Sequence, residues 1–286
     1  MSCFLQVVQS TAMEWILQPE PLRPVPPAPI IEDLLTNPEF INADAPLAWL
    51  RRAMILSEEI IKSTAEATKG QRTNPMWAVM RKNRITASNF GAVLNLKRKR
   101  LTASLKKRLM SSYNLESVKS IAWGITHEDD ALKKYQNDFG ALIQKTGIWL
   151  HESGALGASP DGLVLHPPLC EVSYQTPDAR AAIPELVEVK CPYSAASLSV
   201  EDAVHCLKDF YLEFKEDSLH LKTDHTYYHQ IQGQLYMCNK NCCDLMVWTP
   251  VDCAIIRIVK DKEWAKNVAV LVDFYFSTFI QALRED

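Results

Sequence analysis

The chain has 286 residues, of which 47% are hydrophobic and 23% charged, and its formal net charge is −3. This composition predicts one large globular α/β domain, with or without a helical appendage. No run of about 18 apolar residues is present, which excludes a transmembrane helix. Residues 1–18 lack the basic region and small-residue cleavage site of a secretory signal. We therefore expect an intracellular protein, nuclear or cytoplasmic, that does not bind membranes.

Eight cysteines without regular spacing fit the same compartment, where thiols stay reduced. Cys238, Cys242 and Cys243 lie close together, but no matching pair of Cys or His residues lies near them. Buried free thiols are therefore favoured over a zinc site.

Six prolines between residues 18 and 29 predict an extended linker, because proline lacks a backbone donor. We therefore predict that residues 1–43 form an extension or tether outside the core, which could bind a protein partner. The remaining residues, 44–286, are predicted to form one domain.

The first part of this domain, 44–140, has the patterns of helices. Apolar residues at Leu47, Leu50, Met54 and Ile61 predict an amphipathic helix over 46–68. Further helices are predicted to begin after Asn74, to cover 86–94, and to cover 117–139, ending at Gly140.

The second part, 141–286, begins with strand patterns as far as Leu165, followed by a predicted surface loop over 166–184. The next strand, 186–190, alternates so that Leu186, Glu188 and Lys190 share one face. A helix after Pro192, a hairpin over 210–222, a helix capped by Asp224, strands over 245–249 and 254–259, and a helix over 262–283 complete the prediction. The fold class is α/β (α+β), with a mixed central β-sheet flanked by helices.

Basic residues are concentrated in one window. From Arg81 to Arg108 there are ten Lys or Arg residues and no acid, including the run Lys97, Arg98, Lys99 and Arg100. A basic stretch on an otherwise acidic chain predicts local binding of DNA phosphates. The four-residue run alone also fits a solvated helix face or a nuclear import signal.

The residues with the clearest chemistry are Asp161, Glu188 and Lys190. Two carboxylates on neighbouring strands can converge on one divalent cation, and hard oxygen ligands favour Mg²⁺ or Mn²⁺. A lysine on the same face as the second carboxylate can orient an attacking water and stabilise negative charge. An isolated match of this kind is more often a turn and a solvent-facing strand. Here, however, Glu188 and Lys190 interrupt an apolar strand, and buried charges need partners or metals.

These residues belong to five blocks that resemble the YqaJ-type viral recombinase family, lambda-exonuclease-like members of the PD-(D/E)XK nuclease superfamily. The blocks are Arg81 with Ser88, Trp123-Gly124 with Glu128 and Ala131, Gly157 to Gly162, Glu188 to Pro192, and Tyr227 to Leu235. The resemblance covers the chain from about Trp77 to its C-terminus and implies a restriction-endonuclease-like core within 141–286. The 26 residues between Asp161 and Glu188 exceed the spacing in the compact phage enzymes of this family.

The resemblance implies a role for each matching residue. Asp161, Glu188 and the carbonyl of Val189 would bind Mg²⁺ or Mn²⁺, and Lys190 would position the water. Glu128, Gln230 and Tyr227 would flank the site, whereas Arg81 and Ser88 would hold a terminal 5′-phosphate. Other interpretations stay open: Glu128 as a solvent-facing acid, Tyr227 as a core residue, and Arg81 and Ser88 as an ion-pair partner and a helix cap.

The first functional hypothesis is a 5′-to-3′ exonuclease on double-stranded DNA ends, acting in recombination or DNA-end processing. The resemblance also implies a homo-oligomer, a trimeric ring. The alternatives are a nuclease of other polarity or endonuclease action, and an inactive DNA-end-binding module.

Overall fold

The computed structural model describes residues 25–96, 101–110 and 118–284. Its helices are α1 Ile31–Leu35, α2 Pro38–Ile41, α3 Pro46–Ala53, α4 Glu58–Ala67, α5 Pro75–Arg81, α6 Ala87–Leu94, α7 Ala103–Met110, α8 Lys119–Asn137, α9 Val200–Cys206, α10 Thr226–Met237, α11 Lys266–Phe274 and α12 Ile280–Arg284. Its strands are β1 Ile85–Thr86, β2 Leu142–Gln144, β3 Trp149–Leu150, β4 Leu156–Ala158, β5 Gly162–His166, β6 Ser173–Tyr174, β7 Leu186–Lys190, β8 Leu212–Lys215, β9 Ser218–Leu221, β10 Cys242–Trp248 and β11 Cys253–Val259.

A mixed six-stranded sheet, ordered β2-β5-β7-β10-β11-β6, forms the centre of the domain. β7 lies inside this sheet, antiparallel to β5 and parallel to β10. A three-stranded sheet (β1-β4-β3) and the β8–β9 hairpin complete the strands of the described chain. The prediction of a mixed central sheet flanked by helices is confirmed.

The two faces of β7 pack against different layers. Leu186 lies in one apolar cluster with Ile231 and Leu235 of α10, whereas Val187 and Val189 lie in another with residues of α8. The alternation predicted from the sequence is therefore present. Because α8 and α10 cover opposite faces of the same strand, β7 is buried on both sides.

Several local predictions were wrong in detail. The helix expected over 46–68 is two helices, α3 and α4, because Ser57 caps a new helix by accepting a hydrogen bond from the Ile60 N–H at 3.3 Å. The helix expected after Pro192 is a 3₁₀ turn, Tyr193–Ala195, and α9 begins only after Ser199. The N-cap of α10 is His225, whose ring nitrogen accepts from the Tyr227 N–H, and not Asp224.

The segment 166–184 is more than a surface loop. It contains β6, which pairs with β11 at the edge of the central sheet, and a 3₁₀ turn over Pro177–Ala181. Ala179 in that turn is fully buried. Short strands of this kind form because a neighbouring strand satisfies their backbone groups, which local sequence does not reveal.

The predicted extension, residues 1–43, lies partly outside the described residues. Within the described part, α1 and α2 contribute Ile31 and Phe40 to the main apolar cluster, together with Leu50 and Met54. Residues 28–41 are therefore part of the core. Residues 1–24 lie outside the described residues, and the extension or tether stays a prediction for them.

A buried charged group fastens α8 to the central sheet. Asp244 of β10 is opposite Arg257 of β11, whose Nε and Nη2 donate to its two carboxylate oxygens at 2.8 and 3.0 Å. The Tyr135 hydroxyl of α8 donates to the same carboxylate at 2.9 Å. Asp244 is fully buried, so both of its oxygens depend on these donors.

We predict that Asp244→Ala lowers the free energy of unfolding by about 3–5 kcal/mol, because it leaves Arg257 buried without its counter-charge. Tyr135→Phe removes one hydrogen bond and should cost about 1 kcal/mol. Urea unfolding followed by circular dichroism measures both. Equal losses for the two variants would contradict the assignment of Asp244 as the centre of this network.

Candidate active site

The turn before β5 presents Asp161. Gln71 holds this turn through its side-chain amide, which donates to the carbonyl of Pro160 at 2.8 Å and to that of Thr146 at 3.3 Å. The Trp77 indole N–H donates to the Ser159 hydroxyl at 2.9 Å. Gln71 adopts a left-handed φ of 47°, which costs a non-glycine residue about 1–2 kcal/mol. These contacts fix the position of Asp161.

Asp161 lies beside β7. Gly162 is paired with Val187, and the Val189 N–H donates to the Asp161 carboxylate at 2.7 Å. The pKa of Asp161 is raised well above its usual value, first by burial and then by the nearby carboxylates Glu188 and Glu128. The strand pairing therefore brings together the two carboxylates predicted to bind metal.

Glu188 is 3% exposed, and among the described residues its carboxylate accepts hydrogen bonds from three side chains. Gln230 and Gln234 of α10 donate to its two oxygens at 2.5 and 2.6 Å, and the Lys190 ammonium also donates to it. Gln230 and Gln234 are four residues apart, so both point from one side of α10 toward β7.

Lys190 lies between Glu188 and the ring of Tyr227, with its ammonium 4.7 Å from the ring centroid. Burial opposes the charged form, but Glu188, Tyr227 and Asp161 outweigh it, so the pKa of Lys190 is raised. Lys190 is therefore fully protonated at neutral pH and acts as a fixed cation.

Glu128 reaches the same region from α8. Its carboxylate accepts from the Arg72 guanidinium at 2.5 Å. The pKa of Glu128 is raised, mainly by burial, which outweighs the favourable charge of Arg72. The Glu128 side chain is 32% exposed, so its interpretation as a solvent-facing acid stays open beside the role that the resemblance implies.

A cavity of about 230 Å³ opens in front of these residues. Its charged lining is Arg72, Glu128 and Lys190, and Gly124, Tyr211 and Tyr227 are among its other walls. This volume is large enough for a phosphate group with its first waters. The cavity is thus a place where a phosphodiester could meet Glu128 and Lys190, and Lys190 in turn contacts the buried Glu188.

The donors fit a hard divalent cation. Among the described residues, no group of three or more His, Cys, Asp or Glu side chains is arranged to hold a metal ion. Mg²⁺, however, is usually bound through one or two carboxylates, with waters and substrate phosphates completing the shell. Asp161 and Glu188 are such a pair, close enough that the Glu188 charge adds to burial in raising the pKa of Asp161. The described cysteines are all free thiols, and none belongs to a metal cluster.

A second, larger pocket of about 890 Å³ contains both Arg81 and Ser88. Arg81 stacks on Trp77, with its guanidinium carbon 4.1 Å from the ring centroid. Burial, and then repulsion from Arg72, lower the pKa of Arg81 to about 10, so it stays charged at neutral pH. No carboxylate among the described residues forms an ion pair with it.

Ser88 is the second residue of α6, next to free backbone N–H groups at the helix N-terminus. Its hydroxyl lies 3.3 Å from that of Thr86, and its carbonyl accepts from Arg108 at 2.9 Å. The N-cap residue is Thr86, not Ser88. Arg108 and Lys107 of α7 also line this pocket, whereas Lys97, Arg98, Lys99 and Arg100 lie outside the described residues.

Four residues that contribute to these sites were not identified from the sequence. Gln71 and Arg72 belong to a 3₁₀ turn before α5, and Gln234 belongs to α10. Tyr211 is the residue that precedes β8. Gln234 alone had a sequence signal, because it lies one helical turn after Gln230. The others reach the site through packing between distant segments.

A family model described as the YqaJ-like viral recombinase domain matches residues 76–241. The chain belongs to this family. The predicted family is thereby confirmed, and with it the prediction of an enzyme that acts as a DNA nuclease. Polarity and the identity of the metal ion stay predictions. No curated protein matches the chain.

Several solved structures match the chain at low sequence identity. An alkaline exonuclease from Laribacter hongkongensis has 18% identity and a TM-score of 0.48, over 73% of this chain and 94% of the other. A phage-related exonuclease from Haemophilus somnus has 13% identity and a TM-score of 0.46, over 71% and 96%. The Shutoff and Exonuclease Protein of Kaposi's sarcoma-associated herpesvirus has 11% identity and a TM-score of 0.44, over 79% and 74%.

Two glycines allow α6, which carries Ser88, to lie directly on α10, which carries Gln230. A Cβ on Gly91 would lie 2.8 Å from the Thr226 Cα, and one on Gly233 would overlap the Phe90 ring. The Thr226 backbone cannot move without shifting α10.

We predict that Gly91→Ala lowers the free energy of unfolding by about 1–3 kcal/mol, because the added methyl group overfills this contact. Gly124→Ala is the matched control. A Cβ on Gly124 meets nothing within 4 Å, and alanine favours a helix over glycine by up to about 1 kcal/mol. Urea titration should show the two variants shifting in opposite directions. A Gly91→Ala protein as stable as wild type would rule out the tight contact.

Proposed function

We propose that the chain is a metal-dependent 5′-to-3′ exonuclease that digests linear double-stranded DNA from its ends. The observation that carries the proposal is that β5 and β7 place Asp161 beside Glu188 and Lys190, directly behind a cavity that Lys190 lines. Substrate recognition is assigned to the second pocket, which contains Arg81 and Ser88. Lys97, Arg98, Lys99 and Arg100 would add phosphate contacts along the duplex.

Asp161 and Glu188, with the carbonyl of Val189, would hold Mg²⁺ or Mn²⁺. When bound, such a cation polarises the phosphoryl oxygen and lowers the pKa of a coordinated water. Lys190 is held by Glu188 and Tyr227 at a fixed place, where it orients the attacking water and offsets the charge that develops on the phosphate.

Gln230 and Gln234 keep the Glu188 carboxylate oriented, because each donates to a different oxygen. Tyr227 forms the wall beside Lys190, and Glu128 is available to bind a water at the cavity. Arg72 neutralises Glu128, which limits repulsion of the incoming DNA.

The polarity follows from the second pocket. Arg81 is charged and lacks a carboxylate partner among the described residues, and the N-terminus of α6 offers backbone N–H groups beside Ser88. Free N–H groups and a planar guanidinium together favour a phosphate. A terminal phosphate carries about one more negative charge than an internal one. The pocket would therefore select 5′-phosphorylated ends.

The assembly and location belong to the same proposal. No helix in the described residues is long and apolar enough to cross a membrane. A trimeric ring, a protein partner bound through the proline-rich segment, and a nuclear or cytoplasmic location are consistent with digestion of DNA ends in recombination. Sedimentation analysis would test the ring directly.

We predict that Asp161→Asn and Glu188→Gln each lower kcat at least about 100-fold, or roughly 2.7 kcal/mol of barrier, because each removes a ligand charge while keeping its shape. Lys190→Ala should lower kcat far more than DNA affinity. Release of acid-soluble nucleotides from linear duplex with Mg²⁺, Mn²⁺ or a chelator measures this, and the chelator should abolish cleavage.

Asp129→Asn is the matched control for these variants. Asp129 is an exposed neighbour of Glu128 on α8, and its variant should retain the wild-type rate. If Asp161→Asn or Glu188→Gln stays within tenfold of wild type, the proposed metal ligands are wrong. Equal digestion of circular and linear duplex would instead indicate endonuclease action.

We predict that wild-type protein digests a 5′-phosphorylated duplex about 10- to 100-fold faster than a 5′-hydroxyl duplex. This factor corresponds to the free energy of one hydrogen bond to a charged group. Arg81→Ala should erase most of this preference and keep slow metal-dependent cutting. Lys62→Ala removes one positive charge from α4 and should leave the preference intact. Identical rates on both wild-type substrates would disprove the end pocket.

A further inference from the structure

The catalytic cavity contains one polar group that the proposed mechanism does not use. Tyr211, the residue before β8, is 6% exposed and lines this cavity together with Lys190 and Tyr227. Its ring meets the Tyr227 ring edge-on, with the two centroids 4.9 Å apart. Tyr211 lies outside all five sequence blocks, so no motif predicts a role for it.

The Tyr211 hydroxyl is shielded from bulk water and has no hydrogen-bond partner among the described residues. Four other tyrosines behave differently. The hydroxyls of Tyr135, Tyr228, Tyr236 and Tyr275 each donate to a protein oxygen. Buried polar groups in proteins are nearly always paired, so the Tyr211 hydroxyl has a free donor for a ligand at this cavity.

The chemistry of the cavity indicates that the partner of this hydroxyl is an anionic oxygen. The two cations of the lining already hold carboxylates, Lys190 with Glu188 and Arg72 with Glu128. A phenol can donate to a phosphate oxygen without breaking either ion pair. A hydrogen bond to a charged acceptor is also stronger than one between neutral groups. A phosphate is the anion expected here, because the proposed nuclease function brings DNA phosphates to this cavity.

We propose that the Tyr211 hydroxyl donates a hydrogen bond to a non-bridging phosphate oxygen of the DNA strand in the catalytic cavity. This inference rests on the proposed nuclease function and adds a substrate contact to it. Tyr211 has no role in holding the metal ligands, because none of its atoms bonds to Asp161, Glu188 or Lys190 in the described structure.

Tyr211→Phe tests the inference, because it removes the oxygen and keeps the ring. We expect kcat on linear duplex to fall about 10- to 100-fold, the loss of one hydrogen bond to a charged group. The calorimetric affinity for thymidine 5′-monophosphate should fall by a similar factor. The thermal midpoint should be unchanged or higher, because an unpaired buried hydroxyl is gone.

Tyr236→Phe is the matched control. Its hydroxyl donates to the Asp261 carbonyl at 2.9 Å and does not line the cavity. This variant should lose thermal stability and keep both kcat and nucleotide affinity. The opposite responses of the two variants separate a substrate contact from a structural hydrogen bond.

If Tyr211→Phe cleaves DNA and binds thymidine 5′-monophosphate within threefold of wild type, the inference is overturned and the proposed nuclease function is unaffected. If wild type cleaves no DNA, the proposed function fails, and the nucleotide titration then decides the inference. A weaker affinity of Tyr211→Phe for thymidine 5′-monophosphate, with unchanged weak binding of thymidine, would support the phosphate contact. Equal affinities would overturn it.

Discussion

The burial of one carboxylate, Glu188, governs the arrangement of the active site. Moving an ion of this size out of water costs several kcal/mol, so it is tolerated only where charges and hydrogen bonds replace its hydration. Glu188 obtains them from Lys190 on its own strand and from Gln230 and Gln234 on α10. Two of these three donors come from one helix, and α10 must therefore lie on this face of β7.

The opposite face of β7 is covered by α8, which carries Glu128. The Asp244 network holds α8 against the sheet. The central strand is thus enclosed by the two helices that also supply the walls of the cavity.

The same helix connects the two proposed binding places. α10 carries Gln230 at the catalytic carboxylates, and α6 lies on α10 through Gly91 and Gly233 and carries Ser88 at the second pocket. In the proposed exonuclease, one contact between two helices then sets the separation between the bound DNA end and the bond that is cut. A glycine contact suits this purpose because the backbone of one helix lies directly against the other helix. No long side chain lies between them that could change rotamer and alter the distance. The position of the cut would therefore depend on rigid elements of the fold and not on a loop.

The sequence predicted the parts of this arrangement that local patterns encode. The alternation over 186–190 placed Glu188 and Lys190 on one face, and helical spacing placed Gln230 and Tyr227 together. The patterns did not encode contacts between distant segments: Arg72 meets Glu128 across 56 positions, and Gln71 meets Pro160 across 89. Nor could composition show that residues 28–41 pack into the core. The prolines before them indicate an extended chain, and an extended chain can either project into solvent or pack its apolar residues against the domain. The break between α3 and α4 was missed because hydrophobic spacing continues across it, whereas Ser57 begins a new helix through a single hydrogen bond.

The charges of the site explain why the metal ion and the DNA should strengthen each other's binding. Asp161, Glu128 and Glu188 supply three carboxylates, whereas Arg72 and Lys190 supply two cations in contact with two of them. Asp161 forms no ion pair among the described residues, and burial, followed by the charges of Glu188 and Glu128, raises its pKa. With all three carboxylates ionised, a divalent cation would change the formal charge of the set from −1 to +1. One phosphodiester, with its single negative charge, would then bring the total to zero. Because a buried site tolerates net charge poorly, metal and DNA should each strengthen the binding of the other. A terminal phosphate, with its additional negative charge, would overshoot this balance, which is a physical reason for holding it at Arg81 in a separate pocket.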